Sequence, residues 1–192
     1  KSCETIRTQT TFAVYQLERQ NIAIPDDNGF TQQVGNQRSR GFEVDVAAQP
    51  NSSLRAFLAY AFNDAELTNF NELIPLGVDR SNFVVLDRSG HRPAFAPKHI
   101  LNIWLSHDLP RGLGLGGGAR YVSKQFIAED NGFALEGTLT FDVMVNYRVR
   151  DLRLSVNIKN LTNEKYFARG FGSASVIPAA PFAIYFGFDY AM

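Results

Sequence analysis

One segment of the sequence, residues 66–97, combines cationic and aromatic side chains in a way that could bind a ligand. Arginine and histidine donate charge-assisted hydrogen bonds to anionic oxygens, and aromatic rings stack on flat conjugated groups. The mixture suits an anionic, partly aromatic chelate. Taken singly, each residue could equally shape or solubilise a surface loop, so the prediction concerns the set together with loops 128–137 and 161–181. Its members are Asn69, Phe70, Arg80, Phe83, Arg88, His91 and Arg92.

Metal binding and catalysis find no comparable support. The three histidines, His91, His99 and His107, lie in or near different segments, without a close pair at ligand spacing or a cysteine or carboxylate cluster. No G-x-S-x-G motif marks a nucleophilic serine. We therefore predict no metal site, no catalytic residue and no cofactor.

The glycine-rich run GLGLGGGAR, residues 112–120, resembles a phosphate-binding loop only superficially. Such a loop requires a following helix and a Lys-Ser/Thr pair, and both are missing. Glycine on a strand face where a backbone or bulky neighbour comes close is the better account.

Composition narrows the class of protein. The 192 residues carry 19 basic and 19 acidic side chains, which gives no electrostatic case for nucleic acid. Aromatic residues make up 12% of the chain, yet the mean hydropathy is −0.16. No apolar run approaches the roughly 18 residues of a membrane helix. Cys3 is the sole cysteine, which excludes an internal disulfide.

The elements that must position the loops are β-strands. The clearest is 180–192, APFAIYFGFDYAM, in which every second residue from Phe182 is large and apolar, a period of two. No stretch shows a sustained helical period, so we predict an all-β chain of about eight antiparallel strands. The other predicted strands are 8–20, 38–48, 54–65, 99–109, 113–127, 138–148 and 152–160.

Strand parity divides the side chains into two faces. In 8–20 the parity is ambiguous, and we favour Ala13, Tyr15 and Leu17 on one face, with Gln16 and Glu18 on the other. The predicted polar face carries Glu43, Asp45, Arg120, Asp142, Arg148, Arg153 and Lys159. Aromatic girdles are predicted to contain Tyr60, Tyr147, Tyr185 and Tyr190.

The connections between the strands alternate in length. The long ones are 21–36, 66–97, 128–137 and 161–181, and the short ones are 49–53, 110–112 and 150–151. In an up-and-down meander, alternate connections emerge at opposite ends of the sheet. Long extracellular loops and short periplasmic turns are typical of outer-membrane barrels, so we predict a transmembrane β-barrel segment.

Several motifs resemble those of TonB-dependent outer-membrane receptors, especially the siderophore receptors. The most specific is 156–166, VNIKNLTNEKY, which resembles the penultimate-strand pattern N-(I/V)-x-N-L-(T/F)-(N/D)-x-x-Y. Residues 177–181 (IPAAP) resemble the P-G-x-P-R lead-in, although Phe182 stands where arginine is common. Further resemblances, in chain order, are 15–21 (YQLERQN), 39–45 (SRGFEVD), 60–65 (YAFNDA) and 96–99 (APKH).

The last residues also resemble the C-terminal signal by which outer-membrane barrels are recognised for insertion. That signal usually ends in phenylalanine, and this chain ends in methionine. The residues at its positions are Tyr185, Gly187, Tyr190 and Met192.

The resemblance implies a 22-strand barrel, filled by an N-terminal plug, that imports a ferric siderophore or similar chelate with energy from the TonB complex. No plug or TonB box is found in the sequence, so we expect residues 1–192 to be the C-terminal portion of the barrel domain, and Lys1 to be a cut rather than a natural start. Iron would enter only within the siderophore. The implied partners are that chelate, outer-membrane lipid and lipopolysaccharide, the barrel assembly machinery, and TonB through the missing plug.

Three other interpretations stay open. A self-contained eight-stranded outer-membrane barrel with a structural or adhesion role would need paired charges in a narrow interior. A soluble β-sandwich or lipocalin-like binder would need its aromatic strand faces covered. An outer-membrane lipase has only general plausibility.

Overall fold

The computed structural model describes residues 6–25, 31–76, 82–171 and 175–191. No helix in these ranges is long and apolar enough to cross a membrane. A 3₁₀ turn occupies Pro110–Gly112. The strands, numbered in chain order, are β1 (Arg7–Pro25), β2 (Thr31–Gln49), β3 (Leu54–Leu76), β4 (Asn82–Asp87), β5 (His99–Asp108), β6 (Leu113–Val122), β7 (Gln125–Phe126), β8 (Ala134–Leu135), β9 (Thr138–Val149), β10 (Leu152–Lys159), β11 (Phe167–Phe171), β12 (Ser175–Pro178) and β13 (Ala183–Tyr190).

One antiparallel meander dominates the structure, in the order β1-β2-β3-β5-β6-β9-β10-β13. The predicted all-β meander of about eight strands is confirmed. β4 pairs with β3, while β7–β8 and β11–β12 form small hairpins in the long connections. In the described ranges β1 and β13 lie at opposite edges of the sheet and do not pair with each other.

The short connections lie at one end of the sheet, the short-turn end, and the long ones at the other, the long-connection end. Asn51 shapes the first short turn, since its side-chain oxygen accepts from the Ser53 and Leu54 amides at 3.0 and 2.8 Å. Arg150, with φ +54°, reverses the chain between β9 and β10. The Ala191 amide donates to the Asp151 carbonyl at 2.9 Å, which places the end of β13 at the short-turn end too. The predicted sorting of the connections is confirmed.

The predicted loops are partly wrong, because strands continue into them. β1 and β2 stay paired out to Pro25 and Thr31, and β3 extends to Leu76 beside β4. Conversely, the predicted strand 113–127 ends its ladder at Val122. Polar side chains and glycines suggested loops, but a strand surrounded by water needs no apolar face, because its ladder satisfies the backbone whatever the side chains are.

Register between neighbouring strands defines one apolar face. Successive partners across it run Phe12, Val44, Tyr60, Leu101, Tyr121 and Leu139. Closer to the short-turn end they run Leu113, Tyr147, Leu154 and Phe188. From Leu139 to Tyr147 the strand advances about 27 Å, which at a strand tilt of about 35–45° spans roughly 19–22 Å of the apolar band of about 25 Å in outer-membrane barrels.

The opposite face is polar, and the seven charged residues predicted to lie there do so. Two expectations are corrected by the register. Ala13 pairs with Glu43, so Ala13, Tyr15 and Leu17 lie on the polar face, and Phe12 and Val14 lie on the apolar one. Tyr185 pairs with Asn157 on the polar face, so it cannot belong to an outward girdle, unlike Tyr60, Tyr147 and Tyr190.

No layer formed by the described residues covers the apolar face. Phe186 and Phe188 of the edge strand are 80% and 77% exposed. The buried apolar side chains of the described residues, such as Leu67 and Ile127, lie instead at the long-connection end. A sheet with this distribution is suited to contact lipid.

The glycine run of β6 is explained by the side chain of Trp104. Its indole lies over the polar face of β6, where a Cβ on Gly118 would come within 2.5 Å of Trp104 Cε3 and 2.4 Å of the Ile103 carbonyl oxygen. A Cβ on Gly116 would meet Trp104 Cζ2 at 3.0 Å. The interpretation of these glycines as a site of close approach is confirmed.

Gly118→Ala should therefore destabilise the sheet by about 1–3 kcal/mol, because the close backbone oxygen cannot move aside. Gly117→Ala is the matched control, since its Cβ would meet no atom closer than the Asp142 carbonyl oxygen at 3.6 Å. Urea unfolding of the protein folded in detergent, followed by heat-modifiable gel mobility, measures both. Equal midpoints for the two variants would contradict the packing role of Gly118.

Candidate functional site

The candidate site lies at the long-connection end, where segment 88–91 runs back along the outer half of β3. The Leu67 amide donates to the His91 carbonyl at 2.9 Å, and the Gly90 amide donates to the Leu67 carbonyl at 2.8 Å. The Arg88 amide donates to the Phe70 carbonyl at 2.7 Å. The segment is thus held by backbone hydrogen bonds.

A clasp around Arg92 joins this segment to the connection between β6 and β9. The Arg92 amide donates to Asn131 Oδ1 at 2.9 Å, and Asn131 Nδ2 donates back to the Arg92 carbonyl at 2.8 Å. The Arg92 guanidinium donates to the Asn63 carbonyl at 3.1 Å and lies 3.7 Å from an Asp64 carboxylate oxygen. Beside it, His91 Nδ1 donates to the Glu129 carbonyl at 2.8 Å.

Apolar packing adds a third connection to this assembly. Ile127 and Leu135 are buried, and Gly170 of β11 lies so close to Ile127 that a Cβ there would meet its Cγ2 at 2.7 Å. The Phe95 amide donates to the Phe126 carbonyl at 2.8 Å. Residues 88–98, 123–137, 161–171 and 175–182 therefore form one packed unit, which we call the outer unit.

The seven candidate ligand residues occupy different environments. Phe70 is only 3% exposed and packs with Leu67 and Ile22, so its ring offers no free face. Arg88 Nε lies 2.7 Å from Glu72 Oε2, and its side chain is largely buried. Asn69 is exposed. Arg80 lies outside the described residues, and so does the side chain of Phe83.

Arg88, His91 and Arg92 thus contact other residues of the same chain, and these contacts shape the outer unit. Sequence alone could not reveal these contacts, because Glu72 is distant in the sequence from Arg88, and Glu129 from His91. Of the described side chains in the set, Asn69 presents the freest polar group.

Asp87, next to segment 88–91, carries a stable negative charge. The Ser89 hydroxyl and amide both donate to Asp87 Oδ1, at 2.5 and 2.8 Å. These hydrogen bonds lower the pKa of the Asp87 carboxyl, and the charge of His91 contributes a smaller lowering. The carboxylate at this turn therefore stays ionised and would repel an anionic ligand on its own side.

The other two histidines have separate environments. His99 Nδ1 lies 2.9 Å from the Tyr60 hydroxyl, and its ring stacks on the Tyr60 ring at 6.2 Å. His107 Nε2 lies 3.4 Å from Ser53 Oγ at the short-turn end. The described part of the chain contains no group of three or more histidine, cysteine or acidic residues placed to hold a metal ion.

The most specific motif, 156–166, proves to be a turn that secures the connection after β10. Asn160 adopts φ +50° and is 5% exposed. Its side chain accepts from the Glu164 amide at 2.8 Å and donates to the Glu164 and Ala180 carbonyls at 2.9 and 3.2 Å. Asn163, with φ +52°, accepts from the Phe182 amide at 3.0 Å. Asparagine suits both positions because it tolerates a left-handed backbone.

Asn160→Ala should destabilise this turn by about 1–3 kcal/mol, because three half-buried hydrogen bonds between the Asn160 side chain and the backbone are lost. Limited proteolysis of the folded protein should then cut within 161–182 at a lower protease concentration. Asn157→Ala is the control, because no hydrogen bond of the Asn157 side chain occurs among the described residues. Unchanged cleavage in the Asn160 variant would contradict the assigned role.

The sequence matches the family model for the TonB dependent receptor-like β-barrel over residues 5–161. It is 27% identical over 183 residues to the metal-pseudopaline receptor CntO of Pseudomonas aeruginosa, covering 91% of this chain and 24% of that protein. It is 27% identical over 174 residues to the ferrichrome outer membrane transporter/phage receptor of Escherichia coli, covering 85% and 21%.

Solved structures show the same fold. The siderophore receptor PiuA of Acinetobacter baumannii superposes with a TM-score of 0.83 at 22% identity, covering 95% of this chain and 26% of that one. The ferric yersiniabactin uptake receptor FyuA of Yersinia pestis gives 0.78 at 13% identity, covering 99% and 28%. This chain thus spans about a quarter of the length of these proteins. It belongs to the TonB-dependent receptor β-barrel family of the Gram-negative outer membrane.

Proposed function

We propose that this chain forms wall and outer connections of an outer-membrane receptor that imports a ferric siderophore or a similar chelate. The observation that carries the proposal is the outer unit. In this chain, which belongs to a family of barrels, the long connections pack together at one end. Contacts of Arg92, Asn131 and Ile127 hold them there. A rigid, partly polar surface of this kind can capture a ligand without first ordering loose loops.

The names of the relatives support the class of ligand. They include receptors for metal-pseudopaline, ferrichrome and ferrioxamine B. These three proteins are named as receptors or transporters. We accordingly propose transport without chemical change of the ligand, with iron arriving as part of the chelate and without a resident cofactor.

The edges of the sheet support the remainder of the proposal. β1 and β13 are not paired with each other, and a bilayer does not tolerate unpaired strand edges. Further strands would therefore close the barrel, its polar face would enclose a plug, and energy would come through the TonB complex. This geometry favours a large barrel over a closed eight-stranded one.

Membrane insertion would depend on β13, which contains most of the residues that resemble the insertion signal. Tyr185 and Gly187 lie on the polar face of β13 and Tyr190 on the apolar face, while Met192 lies outside the described residues. Recognition of these positions by the barrel assembly machinery stays a prediction, as do contacts of the apolar face with lipid and lipopolysaccharide.

Uptake of ⁵⁵Fe from a panel of hydroxamate, catecholate and carboxylate siderophores tests the function in iron-starved cells that express the protein. Deletion of the gene should abolish uptake from at least one chelate. Asn69→Ala should weaken binding of that chelate by about 2- to 10-fold, the effect of one neutral hydrogen bond.

Arg150→Ala, at the short-turn end, is the matched control and should bind as the wild type does. If deletion left uptake from every chelate unchanged while the protein was present in the outer membrane, the proposed function would be wrong. Equal binding by the Asn69 variant and the wild type would remove only that residue from the site.

A further inference from the structure

Two arginines on the polar face are placed against each other near the short-turn end. Arg148 of β9 and Arg153 of β10 are direct cross-strand partners. Neither guanidinium forms an ion pair or a hydrogen bond with any of the described residues. Other cations of the same face are paired, since Arg55 lies 2.8 Å from Asp108 and Lys159 lies 2.7 Å from Asp142.

This placement is unfavourable unless an anion is present. Like charges directly opposite each other across a strand pair are destabilising. Asp189 is the next residue along the row, opposite Arg153, but it contacts neither guanidinium. Two cations therefore face one carboxylate, and the row retains an excess positive charge.

Space for an anion is available beside the arginines. A cavity of about 480 Å³ is lined by Arg148, Arg153 and Asp189 together with the turn residues Arg150 and Asp151. A neighbouring cavity of about 400 Å³ is also lined by Arg148 and Arg153, and the Arg55–Asp108 ion pair lies at its wall. The next row of the polar face runs Gly114, Asn146, Ser155 and Gly187, and it contains no charged residue.

We propose that Arg148 and Arg153 together bind a carboxylate of an acidic polypeptide segment that lies against the polar face. Two planar guanidinium groups side by side match the oxygens of a carboxylate, and each can donate two hydrogen bonds. The incoming charge would neutralise the row and remove the repulsion between the two strands.

The geometry favours a polypeptide over other anions. A lipid headgroup would have to reach the polar face, which is opposite to the apolar face of the same strands. A free anion in an open, partly exposed site would be screened and weakly held. A carboxylate tethered to a protein avoids this loss through its high effective concentration. The plug is the natural source of such a segment, and this identification rests on the proposed function.

Zero-length crosslinking with a carbodiimide tests the proposal in the protein in its native membrane. Arg153→Lys supplies an amine that couples only to a carboxylate in contact with it. We expect mass spectrometry to find a crosslink to an aspartate or glutamate outside the sheet, and none from the control Arg111→Lys, because Arg111 is exposed at the same end of the sheet and lines neither cavity. A crosslink to Asp189 or Asp151 alone would overturn the proposal, because the row would then be neutralised internally.

Arginine modification of the unaltered protein provides a second measurement, which does not depend on a variant that folds. Phenylglyoxal should leave Arg148 and Arg153 unmodified under conditions that fully modify the exposed Arg111, with or without added citrate or phosphate. Protection that requires added citrate or phosphate would indicate a free anion, and full modification would indicate an empty site; either result overturns the proposal. Neither measurement depends on chelate import, so failure here is separate from failure of the proposed function.

Discussion

The uncovered apolar face of the meander is the constraint on which the rest of the structure depends. Rows such as Phe12, Val44 and Tyr60 extend across neighbouring strands without a second layer over them. In water this face would drive aggregation, whereas in hydrocarbon it is in its preferred environment. Hydrocarbon in turn requires every backbone polar group to be paired within the sheet. Long ladders and tight turns at one end both follow from that requirement.

The polar face and the long-connection end do not contact lipid, and the specific side-chain contacts of the structure lie there. Trp104 covers glycines of β6, Lys159 pairs with Asp142, and the outer unit builds its own small core around Ile127. Contact with lipid requires only that a side chain is apolar. In these regions, by contrast, each residue packs against or pairs with a particular neighbour. The most specific family motif, 156–166, accordingly includes the turn at Asn160.

Sequence periodicity predicted the strands that have one apolar face, as in β9, where only Met144 interrupts the alternation of apolar and polar residues. It failed in β1, where Phe12 and Val14 lie among residues of mixed polarity and the pairing with Glu43 decides the face. It also failed beyond the membrane, because β3 and β4 are held by backbone pairing that any side chains allow. Arg88 and Arg92 were recognisable as cations, but their partners Glu72, Asp64 and Asn131 are brought close only by the fold.

The central claim is that lipid covers one face of this sheet and that the other lines a barrel interior. Cysteine scanning of β9 in native outer membranes measures this most directly, using a small water-soluble maleimide that can enter the barrel interior. Variants of Thr140, Asp142, Met144 and Asn146 should react, whereas variants of Leu139, Phe141, Val143 and Val145 should stay unlabelled until detergent replaces the lipid. Equal labelling of the two sets before detergent is added would contradict the account.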